Sequence, residues 1–327
     1  MSDTERPSAE EIILYDKDPR TRIATITFNR PDQLNAPTIA ARLRYADLLQ
    51  RANIDDDVKV LVIRGVGDDL GSGADVPEVL EATAAPTDGP VLREWELEEG
   101  DVTYPPRGTY RRNAMLGNWY ANVQSGCRSL QEFKKISIVE AKGYCYGWHF
   151  YQAADADLVV SSDDALFGHP AFRYVGWGPR MWTWVQMMGL RKFQEMVFTG
   201  RPFTAKEMYE CNFINSVVSR DQLEAETGKY ADACSRTRPT DAVFLQKTFF
   251  EVMKQHQGEY MGSILSGLLE SFSRYVKPDA DDLMLSREVV EGGINRAVKN
   301  NDSHYPPDFR LSKTGRGETG PTAEGDQ

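Results

Sequence analysis

The sequence predicts an α/β fold, and two stretches carry that prediction. Ile136 to Ala141 is an apolar, β-prone run, and Gly143 then lets the backbone turn toward a helix beginning near Trp148. Val58 to Gly65 is a second buried-strand run, leading through GVGDDLGSGADVPEVL into a helix near Val76. Where a strand feeds a helix, the first backbone N–H groups lack intrahelical partners and sit at the positive end of the helix dipole. Such amides suit an anion, or a carbonyl oxygen that gains negative charge. Two units of this kind can direct two amides at one oxygen.

Four segments then agree in chain order: TFNRPDQLNAPT from Thr27, GSGADVPEV from Gly71, AKGYCYGW from Ala141 and FGHPA from Phe167. Together they resemble the crotonase (enoyl-CoA hydratase/isomerase) superfamily, over roughly Ile12 to Phe309. The resemblance implies a crotonase-like ββα spiral core with a C-terminal helical trimerisation region. The expected divisions are a flexible N-terminus over 1–11, a core over 12–235 with an insertion at about 82–112, helices over 236–310 and a disordered tail over 311–327.

Composition sets the limits. A chain of 327 residues can bury a full α/β core. A net charge of −11, with no Lys/Arg stripe interleaved with aromatics, argues against a nucleic-acid face. The cluster Arg107, Arg111 and Arg112 reads as a local anion contact or a solvated helix start. Cys127, Cys145, Cys211 and Cys234 have neither pairing nor metal spacing, and His149, His169, His256 and His304 are scattered, so no metal site is expected. Without a signal-like or membrane-length apolar run, the expectation is a soluble cytoplasmic protein with no membrane contact.

Along the chain, Ile12 to Tyr15 and Ile23 to Phe28 read as a hairpin, and Pro37 and Thr38 start a helix carrying Ile39, Leu43, Ala46 and Leu49 at helical spacing. The acidic turn Asp55 to Asp57 reads as a solvated loop. The Pro-, Gly- and acid-rich segment from Ala82 to Arg112 is longer than connections in compact domains usually are, and its Trp95, Tyr104 and Tyr110 could shape a pocket. Asn113 is expected to cap a helix running to about Lys134. Helices follow at Met181 to Met188 and Leu190 to Thr199, another begins at the capping residue Thr204, and Phe213 to Val218 reads as a strand. Beyond Arg220 the chain reads as mostly helical, which the resemblance relates to a homotrimer or a dimer of trimers.

The resemblance places the two oxyanion donors at the backbone N–H groups of Ala74 and Trp148. Trp148 stands where the family usually has glycine, which matters if that residue needs a positive φ. The two glutamates of the hydratases fall at Tyr151 and Ala171 here, and a third carboxylate position falls near Pro179. Paired-glutamate hydration is therefore not expected. Tyr151 could donate a proton or hydrogen bond, or simply form a pocket wall, and is a poor base near pH 7 unless its pKa falls well below about 10. His169 could reach the space left by Ala171. His149 lies two residues from Tyr151, a rotation of about 200° on a helix, and is expected to be turned away and packed. Arg180 and Tyr174 could hold a carboxylated substrate or a bicarbonate-like base, or be helix surface and core.

For coenzyme A, which would enter as part of the substrate and not as a cofactor, the resemblance implies the backbone of Asn35 and Ala36 and the turn Gly73, Ala74, Asp75 and Val76. Arg30, Arg296 and Lys299 are candidates for its phosphates. Three readings remain: an enzyme acting on an acyl-CoA through an oxyanion-stabilised enolate, specialised toward isomerisation or C–C hydrolysis; a non-catalytic acyl-CoA-binding homologue; and a CoA-independent hydrolase of cyclic β-diketones.

Overall fold

The computed structural model describes residues 6–79, 103, 105–106, 109–111, 117, 121–174, 176–237, 239–272, 277, 279 and 293–317. A six-stranded sheet is formed by β1 (Ile13–Asp18), β2 (Ile23–Phe28), β3 (Val60–Gly65), β4 (Ile136–Ala141), β6 (Leu158–Ser162) and β9 (Ser216–Val218), in that spatial order. Only the first pair is antiparallel; β2, β3, β4, β6 and β9 run parallel. A second sheet holds β5 (Tyr144–Tyr146), β7 (Leu166–Gly168) and β8 (Phe203–Thr204).

Strand β3 shows why its sequence reads as a continuous apolar run: parallel strands are covered on both faces. Leu61 and Ile63 enter the main core, while Val60 and Val62 enter a smaller one with Ile138, Val160, Leu223 and Ala231. The main core lies under α2 (Ile39–Ile54) and α3 (Trp148–Asp155), and the smaller one under α8 (Leu223–Arg236). Thr38 caps α2 by accepting the Ala41 N–H at 3.1 Å. Around this frame lie α1 (Ala9–Ile12), α4 (Ala171–Tyr174), α5 (Met181–Met188), α6 (Leu190–Thr199) and α7 (Ala205–Glu210), and toward the C-terminus α9 (Thr240–His256), α10 (Glu259–Phe272), α11 (Ile294–Asp302) and α12 (Lys313–Arg316). Thr204 and Glu207 form the capping box that starts α7.

Three local expectations change. The N-terminal stretch is ordered earlier than expected, because Ser8 and Glu11 form a capping box that starts α1. The helix expected from Asn113 to Lys134 does not run through: 123–125 and 129–132 are separate 3-10 turns. Ser125 Oγ takes the Cys127 N–H and Ser129 Oγ takes the Gly126 N–H, so side-chain oxygens compete with the helical ladder at this break. Residues 311–317, expected to be disordered, are docked: Asp302 accepts the N–H groups of Leu311 and Ser312, and Lys313 pairs with Asp69 at 2.7 Å. The rest of that tail, and most of the 82–112 insertion with Trp95 and Tyr104, lies outside the described residues; Tyr110 is exposed, with its ring 5.1 Å from Phe272.

Candidate active site

The turn after β3 is held amide by amide. Gly71 pairs with β5 in a parallel bridge, donating to Tyr144 O at 2.7 Å and accepting from Tyr146 N at 2.9 Å. Ser72 N–H donates to Leu34 O at 2.9 Å, Gly73 N–H to His149 Nδ1 at 3.2 Å, and Asp75 N–H to Pro37 O at 3.3 Å. Helical residues follow from 76 to 79, with Asp75 Oδ1 accepting the Glu78 N–H at 3.1 Å. Among the described residues, the Ala74 N–H has no acceptor.

The second turn is β5, Gly147 and α3. Gly147 caps α3 at φ 54° and ψ −119°, and its N–H donates to Gly168 O at 3.0 Å. Trp148 is the first residue of α3, and its N–H also has no acceptor among the described residues. The two turns touch. A β-carbon on Gly147 would lie 3.1 Å from Gly73 Cα, and one on Gly73 would lie 3.7 Å from Trp148 N. Both residues have positive φ, so glycine here provides the backbone conformation as well as the close approach.

The tryptophan does not fill the gap. Its indole Nε1–H donates to Gly126 O at 2.9 Å, and its ring packs edge-on against Phe28 at 5.4 Å and Tyr45 at 5.0 Å, inside the main core. The positive φ belongs to Gly147, one residue earlier, so a side chain at 148 costs the turn nothing.

His169 stands beside this turn. Its Nδ1 lies 4.0 Å from where a Gly147 β-carbon would be, and Gly178 makes room for the ring, since a β-carbon there would come within 2.7 Å of Cδ2. The residue is 8 % exposed, and neither ring nitrogen has a hydrogen-bond partner among the described residues. Burial pulls its pKa down to about 3, overcoming the Trp177 backbone beside it, so the ring is neutral at pH 7. Tyr151 completes this wall, with ring centroids 5.6 Å from His169 and 5.5 Å from Trp184. Position 171 opens α4 as a small alanine.

His149 is packed, as expected, yet it is not idle. It is fully buried, and its Nδ1 is the acceptor for Gly73 N–H. Burial brings its pKa to about 3, against the Asn35 and Tyr146 carbonyls that face it.

Arg180 is engaged within the fold. Its side chain is fully buried, bound to Asp155 Oδ1 at 2.6 Å, Ser263 Oγ at 2.8 Å and Glu259 Oε1 at 3.5 Å, and so ties α10 to the end of α3. Burial raises the Asp155 pKa despite this guanidinium. Burial also opposes ionisation of Glu259, but Arg128 and Arg180 outweigh it and hold the carboxyl down to about 2. Tyr174 is partly buried, which raises its phenol to about 12.

Of the positions expected at coenzyme A, Arg30 is engaged within the chain by Asp75 at 2.7 Å and by Ala36 O at 3.0 Å. The Asn35 side chain is buried, taking Arg30 N–H on Oδ1 and donating to Val66 O and Asp69 O, with its own φ at 56°. Ala36 is buried and Val76 exposed; Arg296 and Lys299 are exposed on α11. A cavity of about 430 Å³ lies elsewhere, bordered by Arg128, Glu132, Tyr260 and Leu268, and shares no lining residue with the two turns. Among the described residues no group of three His, Cys, Asp or Glu side chains could hold a metal, and no helix is long and apolar enough to cross a membrane. Glu270 on α10, unmarked by any motif in the sequence, has its carboxyl raised by burial to about 7. Its signal was its place, eleven residues beyond Glu259, on the face that also carries Ser263 and Ser266.

Two strand–glycine–helix turns in contact on a largely parallel sheet, each with an unclaimed backbone N–H among the described residues, indicate the class of protein. The sequence profile of the enoyl-CoA hydratase/isomerase family matches residues 108–274, and the chain belongs to that family, within the crotonase superfamily. It is similar to the mevalonyl-coenzyme A hydratase sidH of Aspergillus fumigatus, 27% identical over 227 residues, covering 68% of this chain and 72% of that one. EchA13 of Mycobacterium tuberculosis is 27% identical over 246 residues, 74% of either chain. In fold, it matches the crystal structure of an enoyl-CoA hydratase from Mycobacterium smegmatis at a TM-score of 0.75, with 23% identity, over 92% of this chain and 97% of that one.

Proposed function

We propose that the protein acts on an acyl-CoA thioester through an oxyanion-stabilised enolate, as a specialised isomerase or C–C hydrolase and not as a simple hydratase. The observation that carries this reading is the contact between the Gly73 and Gly147 turns, with the N–H groups of Ala74 and Trp148 left unclaimed beside it. Neutral His169 removes a proton from the carbon next to the thioester carbonyl, the enolate charge that forms beside it offsetting the burial that otherwise disfavours its imidazolium, and the electron pair moves onto the carbonyl oxygen, where the two amides receive it. The imidazolium then returns the proton to a different carbon in an isomerisation, restoring the neutral ring. Each backbone donor contributes about 3 kcal/mol to such a transition state. The preference against hydration rests on Tyr151 and Ala171 in the positions where the resemblance expects glutamates.

The test is exchange of the α-proton of a panel of acyl-CoA thioesters in deuterated water. Wild type should exchange at least one of them, and His169→Gln should slow this by about a hundredfold or more. Hydration of crotonyl-CoA with turnover comparable to a typical hydratase, reduced in Tyr151→Phe, would contradict the preference. Tight binding without exchange on any thioester would leave a non-catalytic acyl-CoA-binding homologue. The engagement of Arg30 by Asp75 favours a second reading, CoA-independent cleavage of a cyclic β-diketone; calorimetry with free coenzyme A giving no binding heat would select it.

The proposed assembly is a homotrimer or a dimer of trimers. Its support is the exposed apolar row Phe249, Phe250 and Val252 on α9 and Met261, Ile264 and Leu265 on α10. Light scattering that gave a monomer at micromolar concentration would refute it.

A further inference from the structure

We propose that His149 is a positioning residue that aims the Ala74 N–H and fixes the first oxyanion turn to the second. The inference rests on the reading above for its catalytic meaning. Five consecutive amides, from Gly71 to Asp75, leave the first turn, and four of them are bound: Gly71 to Tyr144 O, Ser72 to Leu34 O, Gly73 to His149 Nδ1 and Asp75 to Pro37 O. Among the described residues only the Ala74 N–H has no acceptor. Three of the four anchors are backbone carbonyls, and His149 is the one side chain among them.

That side chain belongs to the other turn. His149 is the second residue of α3, directly after Trp148 and two after Gly147. Its hydrogen bond to Gly73 therefore links the peptide preceding Ala74 to the helix whose first amide is the second donor. Gly73, at φ 110°, turns the chain between this anchor and the Ala74 N–H, so loss of the anchor frees the direction of that donor. Gly71 is cut to fit: a β-carbon there would overlap the His149 imidazole, which lies across the glycine. The ring is held in place by Phe28 at 4.8 Å and Trp148 at 5.2 Å, both edge-on. Its neutral state, with a pKa near 3, keeps the Nδ1 lone pair available to the amide throughout the neutral range.

The experiment compares His149→Leu and His149→Gln, which place no acceptor at Nδ1, with His149→Asn, whose Oδ1 can occupy that place. Hydrogen exchange of the 70–76 segment is measured by mass spectrometry, and the absorbance shift of a bound dienoyl-CoA thioester reports how strongly its carbonyl is polarised. Exchange should rise roughly two- to tenfold in the Leu and Gln variants, the loss expected for one hydrogen bond, and return in Asn. The red shift of the bound dienoyl-CoA should shrink in the same two variants and recover in Asn, with its dissociation constant unchanged. Exchange that stays at the wild-type rate in Leu and Gln, or rises equally in Asn, overturns the proposal. If the Leu variant does not fold, the Gln and Asn pair decides. A wild-type protein that gives no red shift defeats the proposed function instead, and the exchange measurements still decide whether His149 holds the turn.

Discussion

An alanine at position 147 has no favourable place for its β-carbon. The backbone there stands at φ 54° and ψ −119°, a region that costs a non-glycine residue about 1–3 kcal/mol. The added carbon would also lie 3.1 Å from Gly73 Cα, inside the roughly 3.5–4.0 Å at which carbon atoms attract. Relief comes in two ways: the peptide rotates toward negative φ and carries the Trp148 N–H away, or the two turns separate by a few tenths of an ångström. Either loses most of one of the two proposed oxyanion donors, which is worth about a hundredfold in rate. Gly147→Ala should therefore lose about 1–3 kcal/mol in denaturant unfolding and about a hundredfold in α-proton exchange. Gly176→Ala is the control, since Gly176 also has positive φ, at 73°, but a β-carbon there meets nothing within 4 Å. It should show the conformational cost without the catalytic one. If the two variants exchange the α-proton equally well, the contact between the turns has no catalytic meaning.

Arg180→Met should cost about 3–5 kcal/mol, because it strips the buried Asp155 and Glu259 carboxylates of a shared cation; equilibrium unfolding within 1 kcal/mol of wild type would be the contrary result. His149 and His169, with pKa values lowered from 6.5 to about 3, contribute stability that is complete above pH 6.5 and is lost as pH falls from there through 3. A melting temperature that is level over that acid range in wild type would count against their burial as neutral rings. Glu270 has the opposite sign: raised from 4.5 to about 7, it favours the fold below pH 4.5, and that contribution disappears as pH rises through 7. Glu270→Gln should remove this decline, a few kcal/mol at most, and unchanged pH profiles of the two proteins would show that the carboxyl titrates normally.

Much of the fold could be read in the chain because it is written in short-range chemistry. The apolar runs at Val60–Gly65 and Ile136–Ala141, the glycines at the ends of strands and the helix stop at Gly189 act over a few residues, and periodicity exposes them. The same holds for the two glycine turns, since a strand, a glycine and a helix start are neighbours in sequence. The errors fell where long-range partners decide. Arg180 reads as a substrate anchor or as helix surface and core, and the choice is made only when Asp155 and Glu259 are brought against it from 25 and 79 residues away. The tail after Leu311 has the composition of a disordered segment, yet Asp302 and Asp69 capture it.

Trp148 and His149 mark the boundary most clearly. The sequence by itself determined that α3 begins here with an unpaired amide, because a helix start is a local event. It could not determine that the indole turns back into the core, or that the imidazole reaches a glycine 76 residues earlier. Helical rotation correctly placed His149 away from Tyr151, but the direction away from one side chain is the direction toward another, and only the packing of β5 beside the first turn decided which. Backbone conformation follows from near neighbours; the occupant of the space a side chain enters is settled by distant segments that the chain folds into contact.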